Sequence, residues 1–201
     1  MRLDPEEAAR IEAAFDDAQT ATRAPIVCVL AGASSARDAE FLLGAAVLAL
    51  ATPLPLLLFT ELSAQRIYIA ELLVAFLASV LGSLPWVRRA IVPKRVERAA
   101  CHRAALAQFV LRGVDRSQCG VLVYVSLAER YVRIVAAEEA ARAVPQEQWQ
   151  IAVDAALAPL AAGALEPALT DLAGRCAKFL SQPFPPGGTW EPPPRQRFHV
   201  I

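Results

Sequence analysis

The sequence predicts a layered α/β domain with a small mixed sheet, interrupted by a two-helix transmembrane hairpin. Three observations lead to this prediction. Strand-like apolar runs alternate with amphipathic helical patterns, and two long apolar runs follow one another closely. Hydrophobic residues make up 56% of the 201 residues and charged residues 20%, against about 45–50% and about 25% in ordinary soluble domains. The net charge of zero disfavours a globally basic nucleic-acid binder, so no nucleic-acid partner is expected.

The first predicted unit, residues 1–36, contains one helix and one strand. Asp4 is suited to cap the helix, Pro5 to occupy its first position, and Glu7 to complete a capping box. Apolar residues at helical spacing form the stripe Ala8, Ile11, Phe15 and Ala18. The run PIVCVLAG, from Pro25 to Gly32, then predicts a buried strand.

The second unit, residues 39–88, is the predicted transmembrane hairpin. Residues 41–60 carry no charge and would span about 30 Å as a helix, which is the thickness of the hydrocarbon core. Residues 67–87 form a second run, with Tyr68 and Trp86 at opposite ends. A six-residue link makes the two predicted helices antiparallel neighbours. The alternative is a pair of helices buried in the core of a domain without a membrane span.

Basic residues orient the predicted hairpin. The link has only Arg66, whereas five basic residues lie near the end of the second run: Arg88, Arg89, Lys94, Arg95 and Arg98. The positive-inside rule then places both termini in the cytoplasm, as in a two-pass protein with the lipid bilayer as partner.

One ionisable residue, Glu71, lies inside the second apolar run. A carboxylate at this depth is a candidate functional residue, although it also lies close enough to the link to reach the membrane surface. Pro53, Pro55 and Pro85 predict kinks in the two helices, either for packing or as a hinge.

Residues 92–182 complete the predicted domain. Residues 92–112 are expected to form a helix whose buried face is Val96, Ala100, Ala104, Ala107 and Val110. Residues 120–126 and 131–136 predict an antiparallel strand hairpin. A further helix begins after Pro145. The last helix has the clearest apolar stripe, Leu165, Leu169, Leu172, Cys176 and Phe179.

The C-terminal segment is rich in proline, and four cysteines are spread over the chain. Residues 183–201 contain six of the fifteen prolines and predict an extended tail, pinned by Trp190, Phe198 and Ile201 to its own domain or to a partner. The four cysteines lack close pair spacing and lie in predicted core segments. They are therefore expected to be buried free thiols, and no metal ligands or cofactor are assigned.

Two segments carry a family resemblance. LDPEEAARIEAAFDDAQTATRAPIVCVLAG resembles the opening of TPM domains, and CGVLVYVSLAERYVRIVA resembles the strand hairpin of that family. The resemblance covers residues 1–31 and 94–181. It is nearest to bacterial TPM-like membrane proteins, in which a transmembrane hairpin follows the first strand. It implies a three-layer α/β/α sandwich in the bacterial inner membrane.

The TPM resemblance also implies functions. Members are associated with phosphatase activity, with divalent-cation binding or with assisting membrane receptors. Where such members have an acidic residue before the hairpin, this chain has Ser117, Gln118 and Cys119; after the hairpin it has Glu138 and Glu139, which are weak candidates for a site. No catalytic nucleophile is assigned. The sequence thus favours a non-enzymatic interaction or assembly module at the cytoplasmic face, with a protein partner or self-association. A divergent phosphatase is the alternative, which leaves the question of catalysis open.

Overall fold

The computed structural model of the protein describes residues 4–32, 44, 46–59, 63–83, 94–187 and 196–201. The chain divides into two compact units. Residues 1–34 and 98–201 form one unit, here called the α/β unit, and residues 35–97 form the other, here called the helical unit.

In its described residues, the α/β unit comprises four strands, a 3₁₀ turn, and helices before and between the strands. In chain order these elements are α1 (Pro5–Thr20), β1 (Ile26–Ala31), α4 (Lys94–Leu111, which begins in the helical unit), the 3₁₀ turn (Val114–Arg116), β2 (Val121–Ser126), β3 (Tyr131–Ala136), α5 (Glu138–Ala143), α6 (Gln146–Ala161), α7 (Leu165–Ser181) and β4 (Phe198–Val200).

The four strands form one small mixed sheet in the order β3-β2-β1-β4. Strand β1 is parallel to both of its neighbours, with Ile26 opposite Val121 in β2 and Cys28 opposite Phe198 in β4. Strands β2 and β3 form the expected antiparallel hairpin. All six residues of β1 and of β2 are buried, because both strands are central in the sheet and covered on both faces.

Alternate side chains of the central strands enter two separate cores. Cys28 and Leu30 of β1 point into the larger core with residues of α1, α6 and α7. Val27 and Val29 point into a smaller core, where Ala105 of α4 packs. The sheet therefore lies between two helical layers. This arrangement follows from the period of two along a strand.

The helical unit contains α2 (Pro53–Phe59) and α3 (Ala64–Ser83). Residues 46–51 are also helical, but a turn at Thr52 separates them from α2. Pro53 lacks the backbone N–H that would continue the preceding helix, and proline is well suited to begin a new one. The apolar run 41–60 is therefore not a continuous helix.

The predicted transmembrane hairpin, residues 39–88, is wrong. None of the helices in the described part of the chain combines the length and apolar character needed to cross a bilayer. Helix α2 is only seven residues, about 10 Å, long. Helix α3 has Arg66 and Glu71 in its first two turns, so its uncharged part, residues 72–83, extends about 18 Å against the required 30 Å.

Three further predictions fall with the hairpin: the two-pass location in the bacterial inner membrane, the cytoplasmic placement of both termini, and the membrane-interrupted fold class. Pro85 and Trp86 lie outside the described residues. Mean hydropathy counts the apolar residues of a run. It does not register the helix break at Thr52 or the positions of the charges within α3.

Two other elements differ from the sequence prediction. The buried residues of α4 are Cys101 and Ala105, whereas Val96 and Val110, assigned to its buried face, are exposed. The residues after the β2–β3 hairpin, for which no element was predicted, form the short helix α5.

Candidate interaction surface

The adjacent carboxylates Glu138 and Glu139 lie in the first turn of α5, at the amino ends of β1 and β2. The Glu138 carboxylate forms an ion pair with Arg142 one turn later, and both side chains are 73% exposed. The backbone N–H of Glu139 donates to the carbonyl oxygen of Gln118 at 2.9 Å. Exposed ion pairs of this kind contribute little to stability. Gln118 and Glu139 are thus joined through their backbones.

Metal-binding geometry requires several oxygen, nitrogen or sulfur ligands around one point. Among the residues that the structure describes, no group of three or more His, Cys, Asp or Glu could hold a metal ion. The two carboxylates of α5 are therefore not part of such a group in the described part of the chain.

The remaining predicted residues are spread over separate elements. Lys94, Arg95 and Arg98 lie exposed at the start of α4, and Glu71 is partly buried in α3. Arg88 and Arg89 lie outside the described residues. The basic residues were assigned as topology determinants of the transmembrane hairpin, and that role falls with the hairpin.

The carboxyl ends of the parallel strands carry a polar group that the sequence analysis did not single out. Ser126 ends β2, is fully buried, and donates a hydrogen bond from Oγ to the Glu129 carboxylate. Arg130 follows in the β2–β3 turn with a φ of 49°. Ligands often bind at the carboxyl ends of parallel strands. Ser126 can therefore be recognised as a candidate only when β1 and β2 are known to be parallel.

A small, shallow cleft of about 30 Å³ lies beside this group. Its walls are mainly apolar and come from the β2–β3 turn and the end of α6, including Leu127, Leu157 and Leu160. A serine hydroxyl that donates a hydrogen bond to a carboxylate has two of the groups that nucleophilic catalysis uses, a nucleophile and a general base. Ser126 has no exposed surface, however, so its oxygen cannot meet a substrate in this conformation. The group fixes the turn rather than providing a nucleophile.

The buried thiols are also unsuited to nucleophilic chemistry. All four cysteines are free and buried, as expected from the sequence. Burial raises the pKa of Cys176 to about 12. Burial, with a smaller effect of Cys176, raises the pKa of Cys28 well above its ordinary value. Since the thiolate is the reactive form, both of these sulfurs are inert at neutral pH.

His199 lies in β4 and is partly buried. Burial lowers its pKa from the ordinary value of 6.5, and the positive charge of Arg112 lowers it further. A hydrogen bond with the backbone of Gln196 acts in the opposite direction. The neutral imidazole is therefore favoured in the folded chain.

An exposed apolar surface extends over α2 and α3. Phe59 is 84% exposed and Phe76 is 67% exposed. We call the following set the apolar surface: Leu54, Leu57, Leu58, Phe59, Tyr68, Ile69, Leu72, Leu73, Phe76, Leu77 and Val80. In α3 these residues recur every three to four positions along one broad face, and the opposite, less exposed face is also mainly apolar. A helix that is apolar on all sides normally becomes buried against other structure.

Comparisons with known proteins identify a fold but no family. No protein-family model and no curated protein matches the chain. Among solved structures, the chain is similar to the NMR structure of BA42 protein from the psychrophilic bacterium Bizionia argentinensis, with a TM-score of 0.59 and 16% identity. That match covers 100% of this chain and 97% of the BA42 chain. At this identity it shows a shared fold alone.

Proposed function

We propose that this protein is a non-enzymatic assembly module that associates with further copies of itself through the apolar surface of α2 and α3. The observation that carries the proposal is the exposure of that surface. Its eleven large side chains are each between 44% and 84% exposed, whereas the exposed apolar residues of ordinary surfaces are scattered singly. Apolar patches of this extent usually mark interaction sites.

A second copy is the partner that we favour because the apolar surface is nearly free of charge. From Ile67 to Val80 the single charged residue is Glu71, and it is partly buried. Two identical patches of this kind can meet around a two-fold axis without facing rows of like charge. Association would remove apolar area from water at about 25 cal/mol per Å² before the entropic costs of binding.

The TPM resemblance belongs to the same proposal. Strand β1 is followed by the helical unit, then by α4, the β2–β3 hairpin and α6 and α7. This order supports a TPM-like α/β unit in which the helical unit is inserted after the first strand. In this arrangement the helical unit provides the contact between copies, and the α/β unit is the folded domain into which it is inserted.

The phosphatase alternative has less support. Its candidate residues, Glu138 and Glu139, are exposed, and Glu138 is engaged by Arg142. Phosphoryl chemistry needs a placed nucleophile or activated water and a cationic cradle for the developing charge. We find no observation that assembles these parts around the two carboxylates in the described residues.

The test measures the mass of the full chain as a function of concentration by light scattering and sedimentation. We expect the unmodified chain to associate and the Phe59→Ser/Phe76→Ser variant to need at least ten-fold higher concentration for the same average mass. Ile151→Ser is the matched control, because Ile151 is a large apolar residue of similar exposure on α6. This control should associate like the unmodified chain.

Two results would contradict the proposal. One is an unmodified chain that remains monomeric over the whole concentration range. The other is association that the Phe59→Ser/Phe76→Ser variant and the Ile151→Ser control weaken equally, because this would show no special role of α2 and α3.

A further inference from the structure

Helix α4 buries one side and exposes a line of residues on the other side. Its buried residues, Cys101 and Ala105, lie one turn apart, and Ala105 packs in the smaller core beside the sheet. Spacings of four, three and four positions place a second set in one line along the opposite side of the helix. We call this exposed set the α4 stripe: Ala99, Arg103, Leu106 and Val110.

The α4 stripe is apolar at most of its positions. Leu106 is 42% exposed and Val110 is 61% exposed. Ala99 and Ala107 are exposed beside them, and their small side chains let the backbone of a second helix come close. Apolar residues at this spacing are typical of a helix side that packs against other structure.

The α4 stripe is also positively charged. Arg98 and Arg103 are exposed, and residues 98–114 contain neither Asp nor Glu. Neither guanidinium forms an ion pair with any residue that the structure describes, whereas arginines of α1, α5 and α7 each pair with a carboxylate. The two cations of α4 are therefore available to carboxylates of a partner.

We propose that the α4 stripe binds an amphipathic, acidic helix of another protein. Apolar residues of that helix would contact Leu106 and Val110, and its Asp or Glu side chains would pair with Arg98 and Arg103. Charge complementarity selects this occupant. A second copy of α4 fits poorly, because two such stripes meeting around a two-fold axis would bring the same arginines together. The α4 stripe shares no residue with the apolar surface of α2 and α3.

The experiment measures binding of a labelled peptide by fluorescence anisotropy. The protein is the full chain with Phe59→Ser/Phe76→Ser, here called the parent, so that the apolar surface of α2 and α3 contributes little. The probe is a helical peptide of about 18 residues, the length of α4, with leucines at every third or fourth position and glutamates beside them. We expect saturable binding that weakens at least ten-fold between about 0.05 M and 0.5 M salt, because salt screens exposed charges.

Two variants of the parent locate the binding on α4. Arg98→Glu/Arg103→Glu and Leu106→Ser/Val110→Ser should each weaken binding of the glutamate probe at least ten-fold. A second probe has lysine in place of glutamate. The charge-reversed variant should bind this lysine probe more tightly than the parent does, which a merely unfolded variant would not do.

Two matched controls carry the same kinds of substitution elsewhere. Arg142→Glu replaces an exposed arginine of α5, and Ile151→Ser replaces a large apolar residue of α6 that is 59% exposed. Both controls should bind the glutamate probe like the parent.

Three results would overturn the proposal. The first is a parent that does not bind the glutamate probe, or that binds the glutamate and lysine probes equally. The second is a loss of binding in the controls as large as in the α4 variants. The third is binding of phosphatidylglycerol vesicles through Arg98 and Arg103 without binding of the glutamate probe, which would assign the α4 stripe to an anionic lipid surface instead.

Discussion

The buried side chain of Gln19 is expected to hold the entry to the central strand β1, and Gln19→Leu tests this. Its Nε2 donates to the carbonyl oxygens of Thr22 at 2.8 Å and Ala24 at 2.9 Å, and its Oε1 accepts from the N–H of Ile26 at 3.0 Å. Leucine has a similar volume but neither donor nor acceptor. The variant therefore leaves three backbone groups without this partner in a buried position.

The magnitude follows from those three groups. An unsatisfied buried donor or acceptor costs about 1–3 kcal/mol, and neighbouring groups share part of the loss, so we expect a decrease of about 3 kcal/mol in the free energy of unfolding. This is a large fraction of the roughly 5–15 kcal/mol that stabilises an ordinary domain. The expected decrease in Tm is about 6–12 °C for a chain of this size.

The assay is urea and thermal unfolding followed by circular dichroism. Gln150→Leu is the matched control, since Gln150 is exposed on α6 and its amide donates to Asp154 at 2.8 Å. The control should change the free energy of unfolding by less than about 0.5 kcal/mol. A Gln19→Leu loss below about 1 kcal/mol, or one equal to the control, would refute the role assigned to this side chain.

Three further predictions concern other parts of the α/β unit. Burial and a nearby guanidinium lower the pKa of His199 below 6.5, so protonation favours the unfolded chain; stability should be greatest above pH 6.5 and fall below it, and His199→Gln should flatten this slope in unfolding measurements. Gly120→Ala should destabilise by about 1–3 kcal/mol, because its Cβ would lie 2.7 Å from a backbone oxygen of the 3₁₀ turn, whereas Gly174→Ala, with no atom within 4 Å, should not destabilise. Glu138→Gln/Glu139→Gln should hydrolyse p-nitrophenyl phosphate at the same rate as the unmodified chain, and a loss of activity specific to this variant would favour the phosphatase alternative.

The local elements of the α/β unit could be predicted closely from the sequence. Asp4 caps α1 and accepts from the N–H of Glu6 at 3.3 Å. Strand β3 has the predicted bounds, residues 131–136. In α7 the predicted stripe is buried except for Phe179, which is partly buried. Caps, turns and apolar periodicity depend on residues close in sequence, which is why a single chain reveals them.

The place of the buried polar group at Ser126 depends on residues that are distant in sequence. Ser126 lies at the carboxyl edge of the sheet because β2 is parallel to β1, and about ninety residues separate the two strands. In α4 the buried residues are Cys101 and Ala105, of which Ala105 packs in the smaller core beside the sheet, whereas Val96 and Val110 remain exposed. Periodicity on this alanine-rich helix predicted a single buried face, which was wrong at Val96 and Val110.

The sequence alone determined where apolar residues concentrate and which short segments form helices or a hairpin. Only the tertiary structure decided that β4 completes the sheet beside β1 and that the two long apolar runs do not give a membrane-spanning helix among the described residues. The physical reason is the same in both cases. Hydropathy shows how strongly a segment favours burial. Backbone pairing and helix breaks decide against which surface that segment is buried.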